Sequence, residues 1–266
     1  MIPLIKWELR QRRWFIIWWT VGIVLVILLN LSVYPSFKDQ AAELEQSLSQ
    51  MPESVKQLFS DTGDFISPVG YLSSQVFYMM LPMLFSIMSI SLGSSLIARE
   101  EQEHTLELVL SRPLSRTRFI AGKVLAGILI LAFASGITAI VTAISVRVFG
   151  FDGISVKYTL LATLVSVILS LLFGAISFTL TAMGHGARLA SVGIASLFAL
   201  GGYIISSLDS TVRWLRYPAK LFPYHYYRPS DILNGNFTTR EVAGMLAAIA
   251  ALGVISWIAF RRRDLD

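Results

Sequence analysis

The sequence predicts an all-α membrane protein with six transmembrane helices, an N-terminal interfacial helix, and a cytoplasmic helix between transmembrane helices 2 and 3. Of its 266 residues, 55% are hydrophobic and only 15% are charged, and the mean hydropathy of +0.65 lies far above the range of soluble domains. Each of six stretches without Asp, Glu, Lys or Arg approaches or exceeds the roughly 20 residues that span a bilayer as a helix. They are 14–37, 65–98, 124–146, 158–187, 189–208 and 242–260.

The predicted elements form one transmembrane domain over residues 1–266. In chain order they are an interfacial helix (1–13), TM1 (14–35), an outer amphipathic segment (36–66), TM2 (70–98), a charged cytoplasmic helix (99–113), TM3 (119–146), TM4 (158–183), TM5 (188–208), an outer aromatic loop (209–240) and TM6 (241–260). The first apolar run lacks the small-residue cleavage site of a signal peptide, so we expect an uncleaved span.

The N-terminal segment has the pattern of a helix that lies along the membrane surface. Pro3 is suited to a first helical turn. Lys6, Arg10 and Arg13 share one helical face, whereas Leu4 and Leu9 turn away from it. This pattern favours an interfacial helix and is equally compatible with a basic topology signal.

The distribution of basic residues indicates that both termini are cytoplasmic. With this orientation, thirteen of the 22 Lys and Arg residues lie inside, as the positive-inside rule expects. The contrary feature is the outer loop 209–240, which carries five basic residues and many aromatic ones. Its aromatic rings favour an interfacial belt at the headgroup layer, and the alternative is a substrate gate.

The sequence offers no candidate catalytic residue and no metal site. It has no cysteine and three histidines, and it lacks the zinc-protease, nucleophile-elbow and complete nucleotide-loop motifs. His185 and Asp209 lie at the predicted ends of spans. We therefore expect a chain that is not itself an enzyme and binds no cofactor, and we do not read the net charge of +5 as nucleic-acid binding.

Two spans carry faces of small residues, which allow helices to approach closely. These are Ser86, Ser89 and Gly93 in TM2, and Ser191, Ala195 and Ala199 in TM5. The sequence leaves open whether these faces pack within one chain or form a dimer seam or substrate path.

The segment AREEQEHTLELVLSRPLSR, residues 98–116, contrasts with the apolar spans on either side of it. Glu100, Glu103 and Glu107 recur at helical spacing and predict one acidic face. Pro113 ends this helix, and Ser115 is placed to cap the next one. A short, stiff helix between two spans suits a docking element.

This segment resembles the cytoplasmic-loop signature of ABC-2-type ABC transporter permeases. The matching positions are Glu100, Glu101, Thr105, Leu106, Glu107, Leu110, Pro113, Ser115, Arg116 and Lys123. His104 stands where the family commonly has glycine, and Val109 replaces a leucine. The resemblance extends to the six-span plan and the basic N-terminal helix.

The resemblance implies that 99–113 is a coupling helix for a separate ABC ATPase subunit. The implied ATPase-coupling surface includes Glu103 as well as the matching residues of this segment. It implies two ATPase copies, which bind ATP and Mg, and a second permease copy, as a homodimer or with a sibling permease. The expected function is that of a permease subunit of an exporter in a bacterial or archaeal cytoplasmic membrane. It also implies a substrate route near the seam between permeases, often lined by the second and fifth spans.

Two rival functions remain compatible with the sequence. One is a membrane-embedded, lipid-modifying enzyme, which would need polar residues near His185 and Arg188 or in the aromatic loop. The other is a structural or sensor protein that recruits an ATPase through the same helix. Substrate transport that requires an ATPase distinguishes the expected permease from both.

Overall fold

The computed structural model describes residues 2–40, 47, 50–62, 64–103, 115–184 and 187–263, and every regular element in these ranges is helical. Twelve α-helices are described: α1 (Ile2–Gln11), α2 (Arg13–Ser32), α3 (Tyr34–Asp39), α4 (Glu53–Phe59), α5 (Pro68–Tyr71), α6 (Met80–Gln102), α7 (Arg116–Val148), α8 (Val156–Met183), α9 (Arg188–Ser207), α10 (Arg216–Ala219), α11 (Pro229–Leu233) and α12 (Thr239–Arg262). A π-helical segment, Leu72–Tyr78, joins α5 to α6, and 3₁₀ turns occupy Arg213–Leu215 and Pro223–Tyr226.

The prediction of six membrane-crossing helices is confirmed. The six apolar helical segments are Arg13–Asp39, Pro68–Gln102, Arg116–Val148, Val156–Met183, Arg188–Ser207 and Thr239–Arg262, which we call the first to sixth spans. Helices satisfy their own backbone hydrogen bonds, which is a requirement within lipid. An N-terminal helix, α1, precedes the first span.

The second and fourth spans form the centre of the bundle. Most of the residues in these two spans are buried, whereas only a minority are buried in the first, third, fifth and sixth spans. The fourth span packs against the second, third, fifth and sixth spans. Exposed leucine, isoleucine and valine side chains on the peripheral helices give the bundle an apolar surface suited to lipid.

The bundle has two polar ends. One end carries α1, the connection between the second and third spans, the connection between the fourth and fifth spans, and the C-terminal residues; we call it the terminal face. The other end, the distal face, carries α3, α4, the turn between the third and fourth spans, and the loop between the fifth and sixth spans. Gly150 and Gly153 form the distal turn with φ values of +73° and +83°, a conformation that glycine adopts without steric cost.

Candidate functional site

The most distinctive site is a buried cluster of charges on the terminal face. Lys123 of the third span donates hydrogen bonds to Glu8 of α1 and to Glu100 at the end of the second span. The side chains of Lys123 and Glu8 are fully buried and that of Glu100 is 1% exposed. Lys123 therefore connects three elements at one point.

Arg12 is the fourth charged residue of this cluster. Its Nε atom donates to Glu8 Oε2 at 2.9 Å, and its Nη1 and Nη2 atoms donate to Ser95 Oγ at 2.7 Å and to the Ser95 carbonyl oxygen at 2.9 Å. Two carboxylates thus face two cations, as buried charges require. We call Glu8, Arg12, Glu100 and Lys123 the charge cluster.

The electrostatic environment keeps Glu8 ionised. Burial alone raises the pKa of this carboxyl, but the charges and hydrogen bonds of Lys123 and Arg12 outweigh burial and lower the pKa below the ordinary value of 4.5. Glu8 is therefore a carboxylate near neutral pH, and its ion pairs with Lys123 and Arg12 hold α1 against the bundle.

Two aromatic rings complete the surroundings of Lys123. Its Nζ atom lies 5.4 Å from the centre of the Trp7 ring and 5.3 Å from that of Phe119. Aromatic faces attract cations at such distances. Phe119 is buried and covers the ion pairs on one side, whereas Trp7 is partly exposed.

The Gly122-Lys123 pair provides the seat for α1 on the third span. A Cβ atom on Gly122 would lie only 2.6 Å from Leu4 Cδ2, so the glycine permits close packing of Leu4. The next residue, Lys123, binds Glu8 one helical turn further along α1. This packing gives Lys123, which is one of the positions that resemble the permease signature, and its neighbour Gly122 a specific structural role.

A second set of contacts joins the same connection to the C-terminal end of the chain. Glu101 pairs with Arg263 at 2.6 Å, and Arg116 donates to the carbonyl oxygens of Arg261 and Arg263 at 3.2 and 2.8 Å. Trp257 Nε1 donates to a threonine hydroxyl in the first turn of the third span at 3.1 Å. The two ends of the connection are therefore fixed to the end of the sixth span and to Arg263, which follows it.

Three further contacts involve described polar residues at the two ends of the connection. Arg99 Nε donates to Glu103 Oε1 at 2.8 Å, and Arg188, at the start of the fifth span, donates to Gln102 Oε1 at 3.0 Å. Ser115 is the N-cap of α7 and accepts a hydrogen bond from the Arg118 amide at 3.3 Å. The predicted cap at Ser115 is thereby confirmed.

The structure separates the acidic residues that the sequence grouped on one helical face. Glu100 turns into the charge cluster, whereas Glu103 stays partly exposed beside Arg99. The predicted coupling positions Thr105, Leu106, Glu107, Leu110 and Pro113 lie outside the described residues, as does His104. The coupling helix over 99–113 therefore stays a prediction: the structure describes only residues 99–103 of that range, and Arg99–Gln102 continue α6.

The predicted small-residue faces find partners within the chain. Gly93 packs against the backbone of Gly174 in the fourth span, and Ser86 Oγ lies 3.4 Å from Ser170 Oγ. In the fifth span, Ser191 accepts a hydrogen bond from Thr181 at 2.9 Å. The other three members, Ser89, Ala195 and Ala199, are also buried. A dimer seam or substrate path along these faces stays a prediction.

Glu8 and Arg12 complete a site that the sequence analysis did not identify. Glu8 is the sole acidic residue before Asp39 and stands four residues before Arg12 and four after Leu4. This spacing places an acid on the apolar side of a basic helix. Such an exception to the charge pattern indicates that the acid has a buried basic partner. It does not identify the residue that is the partner.

On the distal face, Tyr227 anchors the aromatic loop to the bundle. Its hydroxyl donates to the Phe77 carbonyl oxygen in the π-helical segment at 2.8 Å and bonds Ser166 of the fourth span. Burial raises the pKa of both Tyr224 and Tyr227 above the ordinary tyrosine value, so both phenols stay protonated at neutral pH. The loop is therefore an integral part of the bundle's distal end.

Replacing Tyr227 with phenylalanine is expected to destabilise the chain by about 1–3 kcal/mol, because the change removes a buried hydroxyl that serves both partners. The midpoint of thermal unfolding of the detergent-purified chain measures the loss. Tyr226→Phe is the matched control, since that exposed hydroxyl bonds only the Lys220 carbonyl among the described residues, and its effect should stay within about 0.5 kcal/mol. Equal effects of the two changes would contradict the anchoring role.

The fold and the site together define a polytopic helical membrane protein in which the connection between the second and third spans is fixed to the N-terminal helix and to the C-terminal end. A family model described as "ABC-2 family transporter protein" matches residues 2–265. The chain belongs to this family, whose members are membrane subunits of transporters. A search of curated proteins gives no match.

Within the described ranges, no group of three or more histidine, aspartate or glutamate side chains is arranged to hold a metal ion. His185 lies outside those ranges. Asp209 Oδ2 lies 2.7 Å from His225 Nδ1 on the distal face.

Proposed function

We propose that this chain is the membrane-spanning permease subunit of an ABC exporter, and that a separate ATPase subunit drives it. The observation that carries the proposal is the charge cluster. It joins the second span, the third span and α1 next to the connection that resembles the permease signature. The chain also belongs to a family of transporter proteins. ATP and Mg bind to the partner ATPase, which is present in two copies beside two permease chains. Both termini and the connection 103–115 lie in the cytoplasm.

The contacts support a direct mechanical route from the ATPase to the spans. Glu100 and Glu101 are consecutive residues, yet one binds the third span and the other binds Arg263 after the sixth span. A displacement of the connection by the ATPase therefore acts on the second, third and sixth spans together. Because buried ion pairs resist separation, these elements move as a unit.

ATP binding drives transport only if the ATPase favours one arrangement of the permease pair over the other. The partner supplies this preference by holding the acidic and apolar residues around Glu107 more tightly when its two copies close on ATP. Hydrolysis then releases the connection and returns the spans to the first arrangement. The cargo moves along a route between the permease chains.

Replacing Glu107 with alanine is expected to abolish copurification of the ATPase or to uncouple ATP hydrolysis from transport, while the chain still inserts and folds. The experiment coexpresses the permease with a candidate ABC ATPase subunit and measures ATPase recovery, ATP hydrolysis and transport in vesicles. Glu53→Ala is the matched control, because Glu53 is an exposed acid in a short helix of the distal face.

Unchanged recovery and unchanged transport in Glu107→Ala would overturn the coupling role of the connection. A second variant, Arg116→Gln, tests the base of the same connection, since it removes the bonds to the Arg261 and Arg263 carbonyls. We expect this variant to retain the ATPase but to lose part of the coupling between hydrolysis and transport. Activity of the purified chain without any ATPase would instead favour a membrane enzyme.

A further inference from the structure

Three basic side chains of the distal loop surround one open cavity. Arg213, Arg216 and Lys220 line a cavity of about 530 Å³ beside the end of the fifth span. The segment that carries them is held in place by Leu215 and Ala219, which are buried. The three cations are therefore presented by a fixed backbone and not by a free loop.

These cations have no anionic partner among the residues that the structure describes. All three side chains are exposed, and none forms an ion pair within the described ranges. The one carboxylate that lines the cavity, Asp209, pairs with His225 instead, at 2.7 Å. Like charges around one cavity repel each other, and an anion bound between them removes that repulsion.

The same residues oppose the positive-inside bias of the chain. The distal loop 209–240 holds five basic residues on the face that the overall Lys and Arg distribution assigns to the outside. A loop that keeps positive charge against this bias, and gathers three of the charges at a cavity, has an arrangement suited to binding an anion.

The rim of the cavity indicates where that anion comes from. Next to the three cations, Trp214, Tyr217 and Leu221 are 72%, 82% and 75% exposed. Amphipathic aromatic rings favour the headgroup layer of a membrane. These side chains therefore place the cavity at the depth of the lipid phosphates. Its volume lies within the ordinary range for ligand sites, about 300–1,000 Å³.

We propose that Arg213, Arg216 and Lys220 form a binding site for the phosphate group of an anionic lipid headgroup on the distal face. The guanidinium groups supply paired donors to phosphate oxygens, and the lysine adds a point charge. Tyr217 and Trp214 contact the glycerol backbone and upper acyl chains. The site is separate from the charge cluster and does not depend on the ATPase.

The test measures binding of short-chain phosphatidylglycerol to the full chain, purified in a neutral detergent, by native mass spectrometry. Short-chain phosphatidylcholine, which has no net charge, and glycerol 3-phosphate, which has no acyl chains, are the comparison ligands. We expect phosphatidylglycerol to bind more tightly than either. Each cation near an anionic surface contributes a factor of about five in affinity. The triple variant Arg213→Gln, Arg216→Gln, Lys220→Gln should therefore bind phosphatidylglycerol at least about tenfold more weakly.

A matched control removes three exposed cations from elsewhere on the same face, through Arg147→Gln, Lys157→Gln and Arg240→Gln. This control should bind phosphatidylglycerol as the unaltered chain does. The thermal unfolding midpoint of each variant without lipid shows whether the fold is intact. If the midpoint of the triple variant falls, the single variant Arg216→Gln replaces it, and we expect its affinity for phosphatidylglycerol to be about fivefold weaker.

Equal weakening in the control and the triple variant, or equal binding of phosphatidylcholine, would overturn the proposal. Glycerol 3-phosphate binding as tightly as phosphatidylglycerol, through the same three residues, would keep the phosphate site and overturn the lipid as its source. Because no ATPase is present, a negative result here leaves the proposed transport function unaffected.

Discussion

Replacing Lys123 with methionine is expected to destabilise the folded chain by about 3–5 kcal/mol, the usual cost of removing one member of a buried ion pair. Methionine has a similar length but no charge. The change leaves Glu8 and Glu100 buried with Arg12 as the remaining cation of the cluster. We expect a large fall in the thermal unfolding midpoint and in the yield of folded protein.

The charge balance of the cluster gives this prediction an internal test. The double variant Lys123→Met, Glu100→Gln removes one cation and one anion and leaves the Glu8–Arg12 pair, which is 2.9 Å apart. It should recover much of the lost stability. Lys157→Met is the control for loss of a lysine, because Lys157 is exposed. If the double variant is less stable than Lys123→Met, charge balance is not what the cluster provides.

Replacing Gly93 with alanine is expected to separate the second and fourth spans at the centre of the bundle. An added Cβ atom would lie less than 3.0 Å from the Gly174 carbonyl oxygen. That oxygen belongs to a helical backbone, so relief of the clash requires movement of the whole fourth span. Overpacking of this kind costs about 1–3 kcal/mol. The unfolding midpoint of the detergent-purified chain measures the cost.

Gly136→Ala is the matched control, because a Cβ atom at that position in the third span meets nothing within 4 Å. Alanine forms helices more readily than glycine, by about 1 kcal/mol, so the control should be neutral or slightly stabilising. The two substitutions are chemically identical and differ only in their surroundings. A neutral Gly93→Ala would show that the two spans adjust without strain.

The six spans and the N-terminal helix were predictable because their signals are local. A charge-free run of about 20 residues identifies a span without any knowledge of its neighbours, and the Ser115 cap depends on residues one turn away. The partners of Lys123 were not predictable in this way. Glu8 is 115 residues distant in sequence, and no periodicity links the two positions.

The small-residue faces were predictable from the sequence, but the helices that pack against them were not. The four-residue spacing of Ser191, Ala195 and Ala199 identified a close-packing face, and the structure buries all three. Spacing along one helix does not say which helix approaches it. That information lies in the complementary surface, such as Gly174 opposite Gly93.

The aromatic loop could be predicted in composition but not in detail. Tyr224 and Tyr227 are buried in the bundle, whereas Trp214 and Tyr217 face outward. An interfacial belt therefore describes only part of the loop. A tyrosine that fills a core and one that meets a headgroup look alike in sequence, because the same ring is apolar on its face and polar at its tip.

The long separation between Glu8 and Lys123 has a consequence for biosynthesis. The ribosome makes α1 before the spans, and Lys123 reaches the membrane only after the first two spans have been made. Until then Glu8 has Arg12 as its partner within the same short segment, and its seat on the third span does not yet exist. The N-terminal helix therefore reaches its final position only after the third span has been made, and the terminal face is completed later still, when Arg263 becomes available to pair with Glu101.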